Sequence, residues 1–245
     1  MSKTIILIPS RLDASRLPNK PLLKINNKSL INHVYEKGLS TNIGEVYVAT
    51  GDKEVFEEVK QNKGKSILTS KEHNTGTDRI FEALEQLNIK DIKYVINLQG
   101  DEPLLDIKDI INLKNFAVKK NSKIATLACK LESKNFENES VVKVRCKNNL
   151  EKNKISCAQE FLRFADKKNS KNIYHHIGIY IYEVSILKKF VSMNQSSNEI
   201  NLRLEQLRAL DNNIRIDVVF AKSSSIGVDT QEDYMEIKKL MEYKS

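Results

Sequence analysis

TIILIP, residues 4–9, is a continuous apolar run that ends at a proline. Such a run suits a strand buried on both faces of a parallel sheet better than a strand with one exposed face. The segment PSRLDASRLPNKP, residues 9–21, is then a loop at the carboxyl end of that strand. Open α/β sheets bind their ligands at this end, so we expect the loop to carry function.

Beyond this strand, apolar runs alternate with stretches of helical periodicity. The pattern predicts helices at 29–39, 54–63, 77–87 and 107–119, and strands at 45–50, 66–68 and 94–98. Such alternation is typical of a doubly wound, Rossmann-like α/β sheet with mostly parallel strands. The second half is less regular and is expected to be partly antiparallel, with strands at 124–129, 141–144, 173–182 and 215–220, and helices at 185–191, 201–210 and 230–243.

The charge of the chain leaves several classes of partner open. The 245 residues carry a formal net charge of +8, which fits an anionic ligand, a nucleic acid or a lysine-rich solvated surface. Lysine pairs are scattered, and no long basic arm or basic aromatic ladder is visible. Nucleic-acid binding is therefore the less favoured hypothesis.

The cysteines and the apolar runs both indicate the cytoplasm. Cys129, Cys146 and Cys157 are odd in number and too widely spaced for a disulfide framework or a zinc site. No run approaches the roughly 20 apolar residues that span a bilayer. The run at 5–8 is too short for the core of a signal peptide. We expect a cytosolic protein with no membrane partner.

The loop at 9–21 concentrates three cations, Arg11, Arg16 and Lys20, among small residues and prolines. A triphosphate needs fixed cationic donors: arginine gives forked hydrogen bonds, lysine a point charge, and backbone N–H groups add to both. The loop is a candidate polyphosphate clamp, with a solvated basic surface as the alternative. The Walker pattern of P-loop proteins is absent from the sequence.

Two acidic segments offer ligands for a metal ion. NLQGDEP, residues 97–103, follows an apolar strand and presents Asp101 at its carboxyl end, where Gly100 permits close backbone approach. Magnesium is held by one or two carboxylates together with substrate phosphates, so a second carboxylate is expected. GVDTQED, residues 227–233, offers Asp229. The alternative is that this segment is only the acidic amino-terminal cap of a helix.

These segments resemble the signatures of the cytidylyltransferases that activate sugars. The loop matches through Arg11, Ser15, Arg16, Leu17, Pro18, Lys20 and Pro21. With the two acidic segments in the same order, the chain resembles the CMP-Kdo synthetases (3-deoxy-manno-octulosonate cytidylyltransferases) along nearly its whole length. The resemblance implies that Arg11 and Lys20 hold the triphosphate of CTP and are catalytic together with Asp101, and that Asp101 and Asp229 bind Mg²⁺.

The resemblance also implies a set of nucleotide contacts. NTGTDR, residues 74–79, is similar to the family loop that contacts the cytosine base, although Thr77 alone would pass for a helix cap. The expected nucleotide site consists of Pro9, Ser10, Arg11, Arg16, Lys20, Asn74, Gly76, Arg79, Gln99 and Gly100.

A third set of residues is expected to bind the acidic sugar. His176 and Tyr180 share a strand face because their separation is even, and Glu205 and Gln206 lie in an LEQLR motif. Without the resemblance, all four would pass for core or helix-surface residues. The implied sugar site consists of Gln99, Arg163, His176, Tyr180, Glu205 and Gln206. Residues 158–166, AQEFLRFAD, depart from the family pattern around Arg163, so the identity of the sugar stays open.

The resemblance implies a fold of the nucleotide-diphospho-sugar transferase type with a smaller α+β part for sugar binding and dimerisation. We expect one domain over 1–245, with a nucleotide-binding half to about 125, the sugar part at about 126–210 and a return to the main sheet at about 211–245. The implied reaction is Mg²⁺-dependent transfer of CMP from CTP to Kdo, for lipopolysaccharide synthesis in a homodimer. The alternatives are another nonulosonate or amino-substituted Kdo as substrate, and a non-catalytic nucleotide- or nucleic-acid-binding protein.

Overall fold

The computed structural model describes residues 3–13, 16–222 and 227–243. Ser15 of the loop signature lies outside these residues. The chain divides into two compact units, residues 1–108 with 225–245 and residues 109–224. The expected single domain, with parts bounded near residues 125 and 210, stays a prediction. Its boundaries are not the same as those of the two compact units.

The secondary structure of the described residues alternates strands and helices. The strands are β1 (Lys3–Ser10), β2 (Lys24–Ile25), β3 (Lys28–Ser29), β4 (Val46–Thr50), β5 (Ser66–Leu68), β6 (Ile92–Asn97), β7 (Ile124–Lys130), β8 (Lys143–Cys146), β9 (Ile155–Leu162), β10 (Ile173–Glu183) and β11 (Ile216–Phe220). The α-helices are α1 (Leu30–Ser40), α2 (Lys53–Gln61), α3 (Gly76–Leu87), α4 (Ile107–Lys120), α5 (Leu150–Asn153), α6 (Val184–Ser192), α7 (Ser197–Leu202), α8 (Leu207–Asp211) and α9 (Gln231–Glu242).

The first unit contains parallel strands in the order β5-β4-β1-β6. The chain builds outward from β1 through β4 to β5, then returns to the other side of β1 as β6. The strand order therefore reverses at β1, which confirms the predicted doubly wound α/β class and creates a switch point between β1 and β6. Residues 4–10 are all buried, as a strand covered on both faces requires.

The second unit contains mixed strands in the order β10-β7-β11-β9-β8. The β7–β11 pairing is parallel, and the β10–β7, β11–β9 and β8–β9 pairings are antiparallel. β8 also pairs with the start of β10, so the strands close on themselves there. The prediction of a partly antiparallel second half is confirmed.

The predicted elements are present with ends shifted by a few residues, apart from one helix, and β2, β3, α5 and β9 were not predicted. The single helix predicted at 201–210 is wrong: α7 ends at Leu202, Arg203 adopts a left-handed conformation with φ 52°, and α8 begins at Leu207. β9 was not predicted, because its sequence ISCAQEFL mixes polar and apolar residues without clear alternation. Among the described residues, no helix is both long enough and apolar enough to cross a lipid bilayer.

Candidate active site

A cavity of about 310 Å³ lies in the first unit, where the loops after β1 and β6 meet. This is the switch point of the sheet, where open α/β proteins bind ligands. The structure brings together here all ten residues of the expected nucleotide site and both expected metal ligands. The lining residues are Pro9, Ser10, Arg11, Arg16, Lys20, Pro21, His73, Asn74, Thr75, Gly76, Arg79, Gln99, Gly100, Asp101 and Asp229.

Lys20 joins the two aspartates at the edge of this cavity. Its Nζ donates to Asp101 Oδ2 at 2.7 Å and to Asp229 Oδ1 at 3.2 Å. Arg16 pairs with the other oxygen of Asp229 at 3.2 Å. Burial of the Lys20 ammonium opposes its charge, but Asp101 and Asp229 outweigh that effect and raise the Lys20 pKa. Two carboxylates that are 81 and 209 residues away from Lys20 in sequence thus converge on one cation.

An apolar cluster explains how Asp229 reaches this place. Its buried residues come from the loop after β1, from β2, from the start of α1, and from α9 with its preceding segment: Leu17, Ile25, Leu30, Val228, Tyr234 and Ile237. The Val228 N–H also donates to the Asp101 carbonyl at 2.9 Å. Because Val228 is buried in this cluster and its N–H is bonded to Asp101, the next residue, Asp229, is held close to Asp101.

Within residues 227–233, the residues that cap the helix are different from the expected metal ligand. Thr230 is the cap of α9: its hydroxyl accepts from the Asp233 N–H at 3.2 Å, and Asp233 Oδ2 accepts from the Thr230 N–H at 2.9 Å. This is a capping box. The Asp229 carboxylate is not used in the cap and contacts Lys20 and Arg16 instead. The segment therefore forms a helix cap and also supplies a carboxylate to the cavity.

The donor set at Lys20 fits a magnesium ion that is completed by a substrate. Among residues 3–13, 16–222 and 227–243, no group of three or more His, Cys, Asp or Glu side chains could hold a metal. Mg²⁺ is commonly held by one or two carboxylates plus waters and phosphate oxygens. Asp101 and Asp229 provide that number of carboxylates, and the position of the Lys20 ammonium between them marks where a cation is stabilised.

The cavity lining around Pro9 is closely packed at two glycines. A Cβ on Gly100 would lie 2.9 Å from the Pro9 carbonyl oxygen, and one on Gly76 would lie 3.1 Å from Pro9 Cγ. A side chain larger than that of glycine at either position would therefore crowd Pro9. The Ser10 hydroxyl is buried and has no hydrogen-bond partner in the described part of the chain, so the wall holds a polar group available to a ligand.

Arg79 and Gln99 line the cavity but also support its walls. Arg79 is 4% exposed and donates through Nη1 to Thr69 Oγ1 at 2.7 Å and to the Ser70 carbonyl at 2.8 Å. Gln99 Nε2 donates to Asn97 Oδ1 at 3.1 Å. The helix cap expected at Thr77 is instead Thr75, whose hydroxyl accepts from the Asp78 N–H. Thr77 is buried inside α3.

In the second unit, His176 and Tyr180 lie together on β10. Their ring centroids are 5.4 Å apart, although the register of β10 against β7 shifts between Ile177 and Tyr180. The His176 Nε2 lies 3.0 Å from Thr126 Oγ1, and the Thr126 hydroxyl donates to the Ile179 carbonyl at 2.7 Å. Burial lowers the His176 pKa to about 3, with His175 adding to the effect, so the ring is neutral.

Glu205 and Gln206 lie in the turn between α7 and α8. Glu205 is near the Tyr180 ring: burial first, then Tyr182 and Glu205, raise the Tyr180 pKa. Gln206 is buried and occupies the N-cap position just before α8. Four of the expected sugar contacts are thus arranged around one β10 segment and one turn, and Gln99 lines the cavity of the first unit.

Arg163 is used differently from the other expected sugar contacts. Its guanidinium donates to three backbone carbonyls, those of Leu202 at 3.1 Å, Glu139 at 3.2 Å and Arg203 at 2.9 Å. These carbonyls belong to the end of α7 and to the loop before β8. Its expected role as a sugar contact stays a prediction.

Sequence patterns gave no indication of two polar groups that support this region. Thr126 is a buried hydroxyl on an otherwise apolar strand, and Lys143 is fully buried with its Nζ donating to the carbonyls of Asn138 at 2.6 Å and Arg163 at 2.7 Å. Burial lowers the Lys143 pKa, and the nearby Arg163 lowers it further. Lys143 falls inside the strand predicted at 141–144, but this position did not indicate burial, because lysine is rarely fully buried without partners.

Known proteins are similar to this chain in both sequence and fold. The chain matches the Cytidylyltransferase family over residues 5–216. It is 41% identical over 251 residues to the 3-deoxy-manno-octulosonate cytidylyltransferase of Thermodesulfovibrio yellowstonii, covering 97% of this chain and 98% of the relative. It is 37% identical over 239 residues to the same enzyme of Bartonella tribocorum, covering 97% and 98%.

Solved structures agree with the sequence comparison. A structure of CMP:2-keto-3-deoxy-manno-octonic acid synthetase complexed with CTP superimposes with a TM-score of 0.90 at 33% identity and covers 100% of both chains. UDP-glucose pyrophosphorylase, at 14% identity and a TM-score of 0.73, shares the fold alone. The fold, the cavity at the switch point and the family match make the chain a nucleotidyltransferase. It belongs to the family of the 3-deoxy-manno-octulosonate cytidylyltransferases.

Proposed function

We propose that this enzyme transfers CMP from CTP to the anomeric hydroxyl of Kdo, releasing pyrophosphate. The observation that carries the proposal is the contact of Lys20 with both Asp101 and Asp229 at one end of a cavity lined by Arg11 and Arg16. This arrangement combines cations for a triphosphate with a pair of carboxylates for a metal. The relatives named above support CTP and Kdo as the substrates.

The chemistry needs positioning and charge stabilisation more than covalent participation by the protein. The sugar hydroxyl oxygen attacks the α-phosphorus of CTP and loses its proton to solvent water, and the bond from that phosphorus to the pyrophosphate oxygen breaks in line, so that pyrophosphate leaves. Arg11, Arg16 and Lys20 stabilise the charge that develops on the leaving pyrophosphate. Gly76 and Gly100 keep the lining of the cavity closely packed around Pro9.

Asp101 and Asp229 are the proposed ligands of Mg²⁺. The ion supplies charge neutralisation at the phosphates and polarisation of the attacking hydroxyl when it is bound. In the ligand-free protein, the Lys20 ammonium lies against the Asp101 and Asp229 carboxylates. On this proposal, these carboxylates exchange that contact for one with Mg²⁺, and Lys20 turns to the triphosphate.

In the second unit, the proposed contacts of the sugar are His176, Tyr180, Glu205 and Gln206. In the first unit, Gln99 is a proposed sugar contact in its own right. The neutral His176 ring and the buried Tyr180 form a polar and aromatic wall that suits a hydroxyl-rich ring. The unusual segment at 158–166 leaves a second candidate substrate class, an amino-substituted Kdo or another nonulosonate. We further propose that the enzyme works as a cytoplasmic homodimer without a nucleic-acid partner and supplies lipopolysaccharide synthesis.

The test is a substrate panel with pyrophosphate release as the readout. The purified chain is given Mg²⁺ and CTP with Kdo, amino-substituted Kdo or a sialic-acid-like sugar, and ATP, GTP and UTP replace CTP in control reactions. Release that requires both CTP and Kdo is the expected result. Release with another sugar alone would move the substrate to the second class, and no release with any combination would refute the proposed activity.

A further inference from the structure

The pairing of β7 with β10 is irregular beside Thr126. Ala128 pairs with His176 and Thr126 pairs with Tyr180, so β10 advances four residues while β7 advances two. This is a β-bulge, in which one strand carries extra residues. Residues four apart on a regular strand are separated by roughly 13 Å, whereas residues two apart are separated by roughly 7 Å. The bulge therefore lets the His176 and Tyr180 rings approach to 5.4 Å between centroids.

The Thr126 hydroxyl holds this bulge from the neighbouring strand. Its Oγ1 lies 2.7 Å from the carbonyl oxygen of Ile179 and 3.2 Å from that of Ile177. Both carbonyls belong to the stretch of β10 where the register shifts. Thr126 is fully buried, so its hydroxyl depends on protein partners. A hydroxyl carries one hydrogen and a carbonyl oxygen can only accept, so this hydrogen is directed at the bulge.

The same hydroxyl oxygen determines which ring nitrogen of His176 carries a hydrogen. Nε2 lies 3.0 Å from Thr126 Oγ1. Because the hydroxyl hydrogen is directed at the carbonyls, Oγ1 is left to accept, and Nε2 is the donor. A hydroxyl turned toward Nε2 would instead set its oxygen lone pairs against two carbonyl oxygens, at 2.7 and 3.2 Å. Burial keeps the ring neutral by lowering the His176 pKa to about 3, so Nδ1 keeps a bare lone pair.

We propose that Thr126 is a positioning residue that holds the bulge of β10 and fixes the hydrogen of His176 on Nε2, so that Nδ1 is presented as an acceptor to a hydroxyl group of the sugar. The proposal rests on the proposed function, because it assigns a role within that sugar site. Phe161 packs edge-on against the His176 ring, with centroids 5.1 Å apart, and limits its rotation. Sugar hydroxyls donate hydrogen bonds, and a bare ring nitrogen can only accept one.

The experiment compares full-length Thr126→Val and Thr126→Ser with a matched control, Thr4→Val. Valine keeps the shape of threonine without its hydroxyl, whereas serine keeps the hydroxyl. Thr4 is a buried threonine on β1 whose hydroxyl has no hydrogen-bond partner in the described part of the chain. The first readout is ¹⁵N NMR of the histidine rings at neutral pH, which reports which nitrogen carries the hydrogen. The chain has four histidines, and the spectrum of His176→Gln assigns the His176 signals. The second readout is kcat/KM for Kdo, with the dissociation constant of CTP measured by calorimetry.

The proposal predicts that His176 carries its hydrogen on Nε2 in the wild type and in Thr4→Val. In Thr126→Val the acceptor is lost, so the two tautomers mix and both nitrogen signals move toward an intermediate shift. Thr126→Val also lowers kcat/KM for Kdo by roughly 10-fold, the effect of losing one hydrogen bond to the substrate, while the dissociation constant of CTP is unchanged. Thr126→Ser restores the tautomer and most of kcat/KM.

A wild-type His176 with its hydrogen on Nδ1 would overturn the proposal without any variant, as would an unchanged tautomer in Thr126→Val. Equal losses of kcat/KM in Thr126→Val and Thr126→Ser would also overturn it, because the hydroxyl would then have no effect. Failure of the proposed function has a different signature: the wild-type enzyme transfers CMP to no sugar, which ends the sugar role, while the tautomer still changes in Thr126→Val. If Thr126→Val does not fold, Thr126→Ala carries the same comparison once its circular dichroism spectrum matches that of the wild type.

Discussion

Replacing Lys20 by methionine tests whether Asp101 and Asp229 are held together by a cation. The two carboxylate oxygens lie 2.7 and 3.2 Å from Nζ, so they are within about 6 Å of each other. Two unit charges at that separation repel by about 3 kcal/mol at an effective dielectric constant of 20. Since the Asp229 side chain is 47% exposed, solvent screening reduces this to about 1 kcal/mol.

We therefore expect ligand-free Lys20→Met to lose about 1 kcal/mol or slightly more of its free energy of unfolding in urea at low ionic strength. Millimolar Mg²⁺ should stabilise the variant more than the wild type, because the carboxylates then have no cation of their own. Lys24→Met, which removes an exposed lysine on β2, is the control. Equal stability of Lys20→Met and wild type, together with an equal response to Mg²⁺, would refute the electrostatic coupling of the two aspartates.

Three further predictions concern stability, each measured by urea unfolding. Because the His176 pKa is lowered to about 3, the unfolded chain takes up a proton at this residue below pH 6.5 while the folded protein does not. The free energy of unfolding should therefore fall by about 1 kcal/mol per pH unit as the pH drops from 6.5 towards 4, and His176→Gln should flatten this slope. Arg208→Met leaves Glu199 buried without its cation and should cost about 3–5 kcal/mol, part of which Glu199→Gln restores. Thr230→Ala should cost about 1 kcal/mol through the lost cap, whereas Asp229→Asn should retain the cap.

Each of these predictions has a result that contradicts it. A parallel pH dependence of stability in wild type and His176→Gln would show that the ring is not held neutral. Arg208→Met with near wild-type stability would mean that Glu199 finds other partners. Equal losses of cap energy in Thr230→Ala and Asp229→Asn would return Asp229 to the cap.

The first half of the fold was predictable because its strands are buried on both faces. Continuous apolar runs such as 5–8 and 94–96 stand out from their polar surroundings, and their alternation with amphipathic helices defines the topology. The position of the basic loop at a strand end followed from the same pattern. β9 escaped prediction because only some of its residues are buried, in no regular alternation.

The break between α7 and α8 was also beyond the sequence pattern. Leu204 and Leu207 have helical spacing, which favours one continuous helix over 201–210. In the structure, Arg203 is left-handed and its carbonyl is bonded to Arg163, 40 residues earlier in the chain. Non-glycine residues adopt this conformation rarely, and here a tertiary contact accompanies it, which local propensity cannot register.

Some features of the candidate site were also predictable from the sequence, and others were not. The sequence predicted which residues would gather in the cavity of the first unit, since strand-end loops meet there. It did not predict that Lys20 would join Asp101 to Asp229, because that contact depends on the packing of Val228 and Tyr234 against Leu17. Nor did it indicate that Arg163 would be bonded to backbone carbonyls.

The central claim is that CMP is transferred from CTP to the sugar at the cavity that holds Asp101. The most direct measurement is mass spectrometry of the product formed from CTP and Kdo with Mg²⁺, by the wild-type enzyme and by Asp101→Asn with an unchanged circular dichroism spectrum. We expect CMP-Kdo from the wild type and about 100-fold less from the variant, because the variant loses a group that stabilises the transition state. Product from Asp101→Asn at a near wild-type rate would contradict the account.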